Sequence, residues 1–355
     1  MTSADNPKSH SKEWLFAVLG AAFAALLLVG CADQAQSFKL TGATMGTTWH
    51  VTATPGDDAN IDTAQLQRDI EVVLESVNDS MSTYRAESEI SRFNQAPVDA
   101  WFDVSEDFYL VLSAAMAIHW QSNGAYDVTV GPLVNLWGFG PGERIDAAPD
   151  AAAIDLVMTR VGQDKLRVDG ELRSVRKQAD LYLDFSSIAK GFAVDEVARL
   201  LQATGIEDYL VEIGGEMRVG GLSPRGDAWR IAIEQPEVGA RSIAQAIALR
   251  DVAIATSGDY RNYFEADGVR YSHSIDPRTG QPVAHELVSV TVIHPSCMMA
   301  DAWATALTVL GAEEAMAVAE SAGLAVYFIQ REGEGLADSH TEAFAPYLGS
   351  IGATE

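Results

Sequence analysis

The stretch 181–205, LYLDFSSIAKGFAVDEVARLLQATG, predicts a strand, a turn of small residues and a helix, in that order. Its first residues are typical of a strand that ends at Asp184, and a helical pattern follows until Gly205 ends it. Between them, Ser186 and Ser187 leave room for close backbone approach. Turns of this kind can present backbone N–H groups to an anion, whereas the simpler interpretation is a helix capped by one of the two serines. The GxGxxG and GKS/GKT spacings of nucleotide loops are absent.

Strands and helices alternate on both sides of this stretch. Helices are expected over 61–78 and 105–122, and an Asp169-Gly170 turn predicts a hairpin near 166–177. Further strands are predicted over 42–54, 209–221, 229–236, 242–258, 287–295 and 324–332, and the Gly-rich stretch 126–142 is predicted as an apolar loop. Because many of these strands suit antiparallel pairing, we predict an α+β protein with mixed, largely antiparallel sheets and packed helices.

The segment 300–311, ADAWATALTVLG, is a predicted core helix that carries a polar pair on one side. Asp301 and Thr305 are four residues apart, so both project from the same helical face. Two hard oxygen ligands one turn apart, completed by a backbone carbonyl, phosphate and water, suit Mg²⁺ or Ca²⁺. A first-turn aspartate that interacts with the helix dipole explains Asp301 equally well.

Two other stretches hold more polar or aromatic residues than folding needs. In YSHSIDPRTGQP, a turn explains the proline and glycine but leaves His273 unexplained. With Arg278, this histidine offers a proton acceptor and a cation that pairs with phosphate. In YDVTVGPLVNLWGFG, the aromatic residues Tyr126, Trp137 and Phe139 could enclose a planar ring or cover a core.

Acidic residues dominate the charge of the chain, because 50 Asp and Glu face 24 Lys and Arg, for a net charge of -26. Such a surface repels nucleic acid, so we expect no nucleic-acid partner. A polyanionic substrate would need local Lys or Arg, backbone N–H groups or a cation. The chain has two cysteines, Cys31 and Cys297, which are too few for a disulfide framework or a cysteine-built metal cluster.

The first residues have the pattern of a secretory signal. Lys8 and Lys12 precede the apolar run LFAVLGAAFAALLLVG, which Cys31 follows. The ending LLVGC matches the bacterial lipobox, whose cysteine becomes lipidated and N-terminal. An uncleaved membrane anchor is the alternative, although the run is short for a spanning helix. We therefore expect an exported protein, lipid-anchored at the inner membrane and facing the periplasm.

Taken together, the motifs resemble the ApbE family, the FAD:protein FMN transferases, over nearly the whole chain after Cys31. In family order they are TMGT, MSTYRAESEISRFN, YDVTVGPLVNLWGFG, LDFSSIAKGFAVD, YLVEIGGEMRVGG, SGDYRNYF, YSHSIDPRTGQP and ADAWATALTVLG. One departure is that the family often has Gly or other small residues where Ser186 and Ser187 stand. The resemblance implies a T-fold-like domain over 41–350, preceded by a signal peptide over 1–30 and a tether over 31–40.

The resemblance also implies a reaction and its residues. The family binds FAD, cleaves its pyrophosphate and transfers FMN to a Ser or Thr hydroxyl of a partner protein, releasing AMP. A metal site for Mg²⁺, or for Ca²⁺, maps to Asp301, Thr305 and an oxygen of Ser187, and His273 maps to the general base. The implied FAD contacts are Met45, Tyr84, Ala125, Tyr126, Asp127, Asp184, Lys190 and Ile275, with Arg261 as a further flavin or phosphate contact.

The resemblance implies exported flavoprotein subunits as acceptors, such as those of the Na⁺-translocating NADH:quinone oxidoreductase and Rnf complexes. Three other activities remain open. Water could replace the acceptor, which gives a metal-dependent FAD pyrophosphatase. The protein could instead be a flavin-binding lipoprotein without turnover, against which His273, Asp301 and Thr305 argue, or an oxidoreductase that keeps FAD as its cofactor.

Overall fold

The computed structural model describes residues 36–56, 61–140, 145, 147–236, 243–258, 263–266 and 269–349. The predicted signal peptide, the lipidation site Cys31 and the candidate contact Arg261 lie outside the described residues. Within these ranges, no helix has both the length and the hydropathy needed to cross a bilayer.

The helices are α1 (Thr63–Met81), α2 (Glu89–Gln95), α3 (Glu106–Gln121), α4 (Gly131–Leu136), α5 (Ala151–Met158), α6 (Ala189–Ala203), α7 (Cys297–Leu310) and α8 (Ala312–Ser321). The strands are β1 (Phe38–Thr44), β2 (Thr47–Thr54), β3 (Trp101–Asp103), β4 (Leu166–Asp169), β5 (Ser174–Lys177), β6 (Asp208–Ile213), β7 (Glu216–Gly220), β8 (Trp229–Glu234), β9 (Ile243–Leu249), β10 (Val252–Gly258), β11 (Tyr263–Ala266), β12 (Val269–Ser272), β13 (Ile275–Asp276), β14 (Gln281–Pro282), β15 (Leu287–His294), β16 (Ala325–Glu332) and β17 (Gly335–His340).

The central sheet has eight strands in the order β1-β2-β6-β7-β10-β15-β16-β17. Every neighbouring pair in it is antiparallel. Smaller sheets surround it: β3-β5-β4 and the pairs β8-β9, β11-β12 and β13-β14. The predicted α+β class with largely antiparallel sheets is therefore confirmed.

The two faces of the central sheet are buried by different elements. Along β10, Ala253 and Ala255 pack into the core that contains α6 and α7, whereas Ile254 packs into a second core with the β8–β9 hairpin. This alternation follows from the two-residue side-chain period of a strand. Helix α7 contacts β10, β15 and α6, so it is buried along most of its length.

Four predicted strands differ from the structure. Two of them, 209–221 and 242–258, are each divided into two strands, β6 and β7 and then β9 and β10. The segment 42–54 forms two strands, because Met45 and Gly46 take positive φ values of 48° and 73°, as a tight hairpin turn requires. The segment before Asp184 is extended but joins no sheet. Its Leu183 N–H donates to the side chain of Asn94 and not to a neighbouring strand.

Two predicted boundaries also shift. The stretch 126–142 is not only a loop, because it contains α4, which has a proline in its first turn, where a missing N–H costs nothing. Strand β1 begins at Phe38, inside the predicted tether, because Phe38 pairs with Ala53 of β2.

Candidate functional site

A cavity of about 930 Å³ opens where β7 begins beside β10. Strand β7 pairs only with residues 252–254 of β10, so residues 256–258 continue past it and line the cavity. The α6–α7 junction, the loop 125–140 and strand β8 form the other walls. This volume is in the range of pockets that bind small molecules and cofactors.

Most of the residues predicted for the site line this cavity. They are Ala125, Tyr126, Asp127, Asp184, Ser187, Lys190, His273, Ile275, Asp301 and Thr305. Met45 and Tyr84 are not among the lining residues. Met45 packs against the main core from the β1–β2 turn, and the Tyr84 side chain is 74% exposed.

Asp301 is buried at the junction of α6 and α7. Its Oδ2 accepts a hydrogen bond from the Gly191 N–H at 3.0 Å and lies 3.7 Å from Lys190 Nζ. Both partners come from the first turn of α6, where backbone N–H groups lack intrahelical acceptors. The start of one helix therefore holds the carboxylate of the other.

The contact between the two helices is so close at Gly191 that no side chain fits. A Cβ atom there would lie 2.4 Å from the Cys297 carbonyl oxygen and 2.8 Å from Asp301 Cβ. An added methyl group would meet the Cys297 backbone and the Asp301 side chain, and neither can move away without shifting α7.

Gly191→Ala is therefore expected to lower the free energy of unfolding by about 3 kcal/mol, as overpacking of a close contact does. Urea denaturation measures this loss. Gly56→Ala is the matched control, because no atom of the described residues lies within 4 Å of the Cβ it would add. Equal stability of the two variants would contradict the tight helix contact.

Glu216 is a cavity residue that the sequence motifs did not single out. It is 6% exposed and lies 3.2 Å, through Oε1, from Lys190 Nζ. Burial raises the pKa of Glu216 to about 7, against the opposing effect of Lys190. The signal in the sequence is the Gly214-Gly215 pair, because both residues take positive φ and turn β6 into β7 just before Glu216.

Lys190 thus lies between two buried carboxylates. Burial lowers the pKa of its ammonium, but Asp301 and Glu216 outweigh this and raise the pKa overall. One cation between two anions leaves this part of the cavity negative when all three groups are charged.

Ser186 and Ser187, in the turn before α6, line the cavity and do not cap the helix. Helix α6 begins after Ile188 with no side-chain capping bond, so the capped-helix interpretation of Ser186 and Ser187 is wrong. Ser187 Oγ lies 3.0 Å from the hydroxyl of Tyr126, and the Asp184 carboxylate accepts from the Ser186 N–H at 2.8 Å. Burial raises the pKa of the Tyr126 hydroxyl, which keeps it protonated.

Asp127 organises the loop that it belongs to. Its Oδ1 accepts from the N–H and the hydroxyl of Thr129, at 2.7 Å and 2.6 Å, and its Oδ2 accepts from the Gln163 N–H at 3.1 Å. Burial raises the pKa of the Asp127 carboxyl, against these hydrogen bonds. Asp127 lines the cavity, but its carboxylate oxygens accept hydrogen bonds from Thr129 and Gln163.

The aromatic residues of the same loop divide into two roles. Trp137 is buried and donates its indole N–H to the Gly280 carbonyl at 2.9 Å, which ties the loop to the 276–280 turn. Phe139 lines the cavity, with its ring edge-on to His273 at a centroid distance of 6.3 Å. Both rings line the cavity, but Trp137 is almost fully buried in a small core as well, whereas Phe139 is the more accessible to a ligand.

Arg278 does not fill the role of a phosphate-pairing cation. Its guanidinium pairs with Asp276 at 3.0 Å and with Glu314 at 3.4 Å, and it does not line the cavity. Its guanidinium is already held by charge-assisted hydrogen bonds to two carboxylates outside the cavity lining, so it is not directed at a phosphate in the cavity.

The donors at the α6–α7 junction are hard oxygens that fit Mg²⁺ or Ca²⁺. Asp301 offers a carboxylate, Thr305 a hydroxyl and Ser187 its backbone or side-chain oxygen, and all three line the cavity. The described residues contain no group of three or more His, Cys, Asp or Glu that could hold a metal without other ligands. A cation here would therefore keep positions for phosphate and water, as Mg²⁺ commonly does.

Sequence and structure comparisons agree with the motifs. The ApbE family model matches residues 45–328. The FAD:protein FMN transferase of Vibrio cholerae is 48% identical over 95% of this chain and 99% of its own length. That of Escherichia coli K12 is 40% identical over 92% and 95%.

Solved structures are similar to this chain as well. The flavin transferase ApbE of Vibrio cholerae aligns with a TM-score of 0.82 at 46% identity, over 88% of this chain and 99% of its own. The apo form of the Pseudomonas stutzeri flavinyl transferase ApbE aligns at 0.80 and 42% identity, over 88% and 97%. With a family model that spans most of the sequence and relatives that match nearly end to end, this chain belongs to the ApbE family.

Proposed function

We propose that this protein is an FAD:protein FMN transferase, which moves FMN from FAD to a Ser or Thr hydroxyl of a target flavoprotein and releases AMP. The observation that carries the proposal is the single cavity shared by Lys190, His273, Asp301 and Thr305. Family membership adds relatives that bear this activity in their names.

Charge explains why a divalent cation belongs to this proposal. The pyrophosphate of FAD is anionic, and Lys190 is already shared by Asp301 and Glu216. We assign Asp301, Thr305 and Ser187 to Mg²⁺, with Ca²⁺ as the alternative. When bound, the ion would neutralise phosphate charge and position the pyrophosphate, which is most of what phosphoryl transfer requires.

The remaining cavity residues supply binding and proton transfer. His273 is the assigned general base, which accepts the proton of the incoming hydroxyl as its oxygen forms the new P–O bond. The pyrophosphate P–O bond breaks, and AMP leaves. Tyr126 and Phe139 offer ring surfaces to the flavin. The other assigned FAD contacts in the cavity are Ala125, Asp127, Asp184, Lys190 and Ile275, and Met45 and Tyr84 stay predictions outside its lining.

We further propose that the protein works outside the cytoplasm, lipid-anchored through Cys31 and facing the periplasm. Its acceptors would then be exported flavoprotein subunits, such as those of the Na⁺-translocating NADH:quinone oxidoreductase or Rnf complexes. A tether that holds enzyme and acceptor at one membrane raises their effective concentration. The lipobox sequence and the resemblance to the family support this assignment.

Intact-mass analysis tests the proposed reaction. We expect the purified protein, mixed with FAD, Mg²⁺ and an acceptor subunit, to add one FMN-sized mass to the acceptor while AMP appears in solution. Replacing the acceptor Ser or Thr with alanine, or adding a metal chelator, should abolish the adduct. These controls separate enzymatic transfer from adventitious flavin binding.

The same experiment distinguishes the other activities. Free FMN and AMP with an unmodified acceptor would indicate a pyrophosphatase. Unchanged FAD would contradict both enzymatic proposals and leave a flavin-binding protein. A redox turnover that leaves FAD intact would instead indicate an oxidoreductase.

A further inference from the structure

Asp195 is a buried carboxylate that the proposed reaction does not use. It is 7% exposed and is not among the residues that line the cavity. It lies on α6 four residues after Gly191, so the two residues lie on the same helical face. Burying a carboxylate is costly unless hydrogen bonds or a countercharge compensate, so its partners indicate what it does.

Donors from two other elements converge on this carboxylate. Its Oδ1 accepts from the Cys297 N–H at 3.0 Å and from the guanidinium of Arg218 on β7. Its Oδ2 accepts from the Met298 N–H at 3.0 Å and from the Ser296 hydroxyl at 2.7 Å. The two backbone groups belong to the first turn of α7, where N–H groups have no intrahelical acceptor. Asp195 therefore caps α7 from a neighbouring helix.

Two contacts thus fix the start of α7 against α6. Asp195 holds the backbone of its first turn, and the Gly191 N–H holds Asp301, which follows about one turn later. Thr305 follows one turn after Asp301 on the same face. A shift or rotation of α7 would move both side chains relative to Ser187, which lies on the segment before α6.

We propose that Asp195 is a positioning residue for the cation site, because capping α7 from α6 sets where Asp301 and Thr305 lie in the cavity. The inference rests on the proposed function, which assigns these two side chains to a divalent cation. It makes a carboxylate outside the cavity a determinant of cation affinity inside it.

Asp195→Asn tests the proposal, because it keeps the size of the side chain and removes its charge. Amide hydrogen exchange in α7 is expected to accelerate at least about fivefold, since the Asn NH2 group cannot accept and one of the two backbone N–H groups loses its acceptor. The Mg²⁺ dissociation constant, measured by calorimetric titration, should rise about 10- to 100-fold, as for the loss of groups that orient metal ligands. Transfer should recover at high Mg²⁺, so the concentration of Mg²⁺ for half-maximal rate changes more than kcat.

Asp62→Ala is the matched control. Asp62 also caps a helix through two backbone N–H groups, those of Ala64 and Gln65 at 3.0 Å each, but its helix α1 carries no residue of the cavity. The control should lower the melting temperature without changing α7 exchange or Mg²⁺ affinity. If Asp195→Asn fails to fold, Arg218→Gln removes the guanidinium that pairs with Asp195 and leaves the first turn of α7, with its own Ser296 cap, unchanged; it should shift both measurements in the same direction, by less.

The outcomes separate this proposal from the proposed function. An Asp195→Asn protein with wild-type exchange in α7 and wild-type Mg²⁺ affinity, even if less stable, overturns the positioning role. A wild-type protein that neither binds Mg²⁺ nor transfers FMN overturns the proposed function. In that case the exchange data alone decide whether Asp195 fixes α7.

Discussion

Asp301→Ala is expected to lower FMN transfer at least about 1,000-fold, which corresponds to about 4 kcal/mol of lost transition-state stabilisation. The substitution removes the carboxylate assigned to the cation. It also leaves Lys190 with Glu216 as its only buried carboxylate partner among the described residues and frees the Gly191 N–H. Intact-mass measurement of the acceptor over time gives the rate.

The controls for this prediction separate chemistry from folding. Asp301→Asn keeps an oxygen that can accept from the Gly191 N–H, so it should retain the fold and still lose most of the activity. Glu313→Ala removes an exposed carboxylate just beyond α7, and it should transfer FMN at the wild-type rate. Full activity of Asp301→Ala would refute its assignment as a ligand.

His273→Ala should reduce transfer by about 10²- to 10⁴-fold, the range for loss of a general base. Because a protonated imidazole cannot accept a proton, the wild-type rate should fall towards acidic pH. The variant should lose that acidic limb along with most of its rate. Pre-steady-state transfer measured across a pH series gives both quantities.

Binding measurements complete the second prediction. FAD affinity should change little in His273→Ala, because the residue is assigned to proton transfer and the cavity has many other lining residues. His50→Ala removes an exposed histidine on β2, outside the cavity lining, and is the matched control for a general effect of losing an imidazole. An unchanged rate and pH profile in His273→Ala would move the base to another residue.

Local patterns predicted much of what the structure contains. The four-residue spacing of Asp301 and Thr305 sufficed to place them on one face of a helix, and both line the cavity. The order of strands and helices predicted the α+β class. The same reasoning was wrong for 42–54 and for the segment before Asp184, because pairing and turns there depend on φ values and on a distant side chain, Asn94.

Contacts between distant segments were beyond the reach of those patterns. Glu216 at the start of β7 meets Lys190 in the first turn of α6, and Gly191 meets Asp301 across 110 residues of chain. In the sequence, Gly191 looks like any small residue at a helix start. Only the approach of α7 shows that a methyl group there would strike backbone.

By itself, the sequence determined the class of the fold, the helical face that carries Asp301 and Thr305, and the family to which the motifs belong. The fold class and the helical face follow from side-chain periods of two and 3.6 residues and from the order of elements, which are local properties of the chain. The family was indicated by the resemblance of its motifs. The tertiary structure alone decided that Lys190 lies between two carboxylates, that the serines leave α6 uncapped and that Asp195 caps α7. The reason is physical: a buried charge takes the partners that packing brings to it, and those partners come from far along the chain.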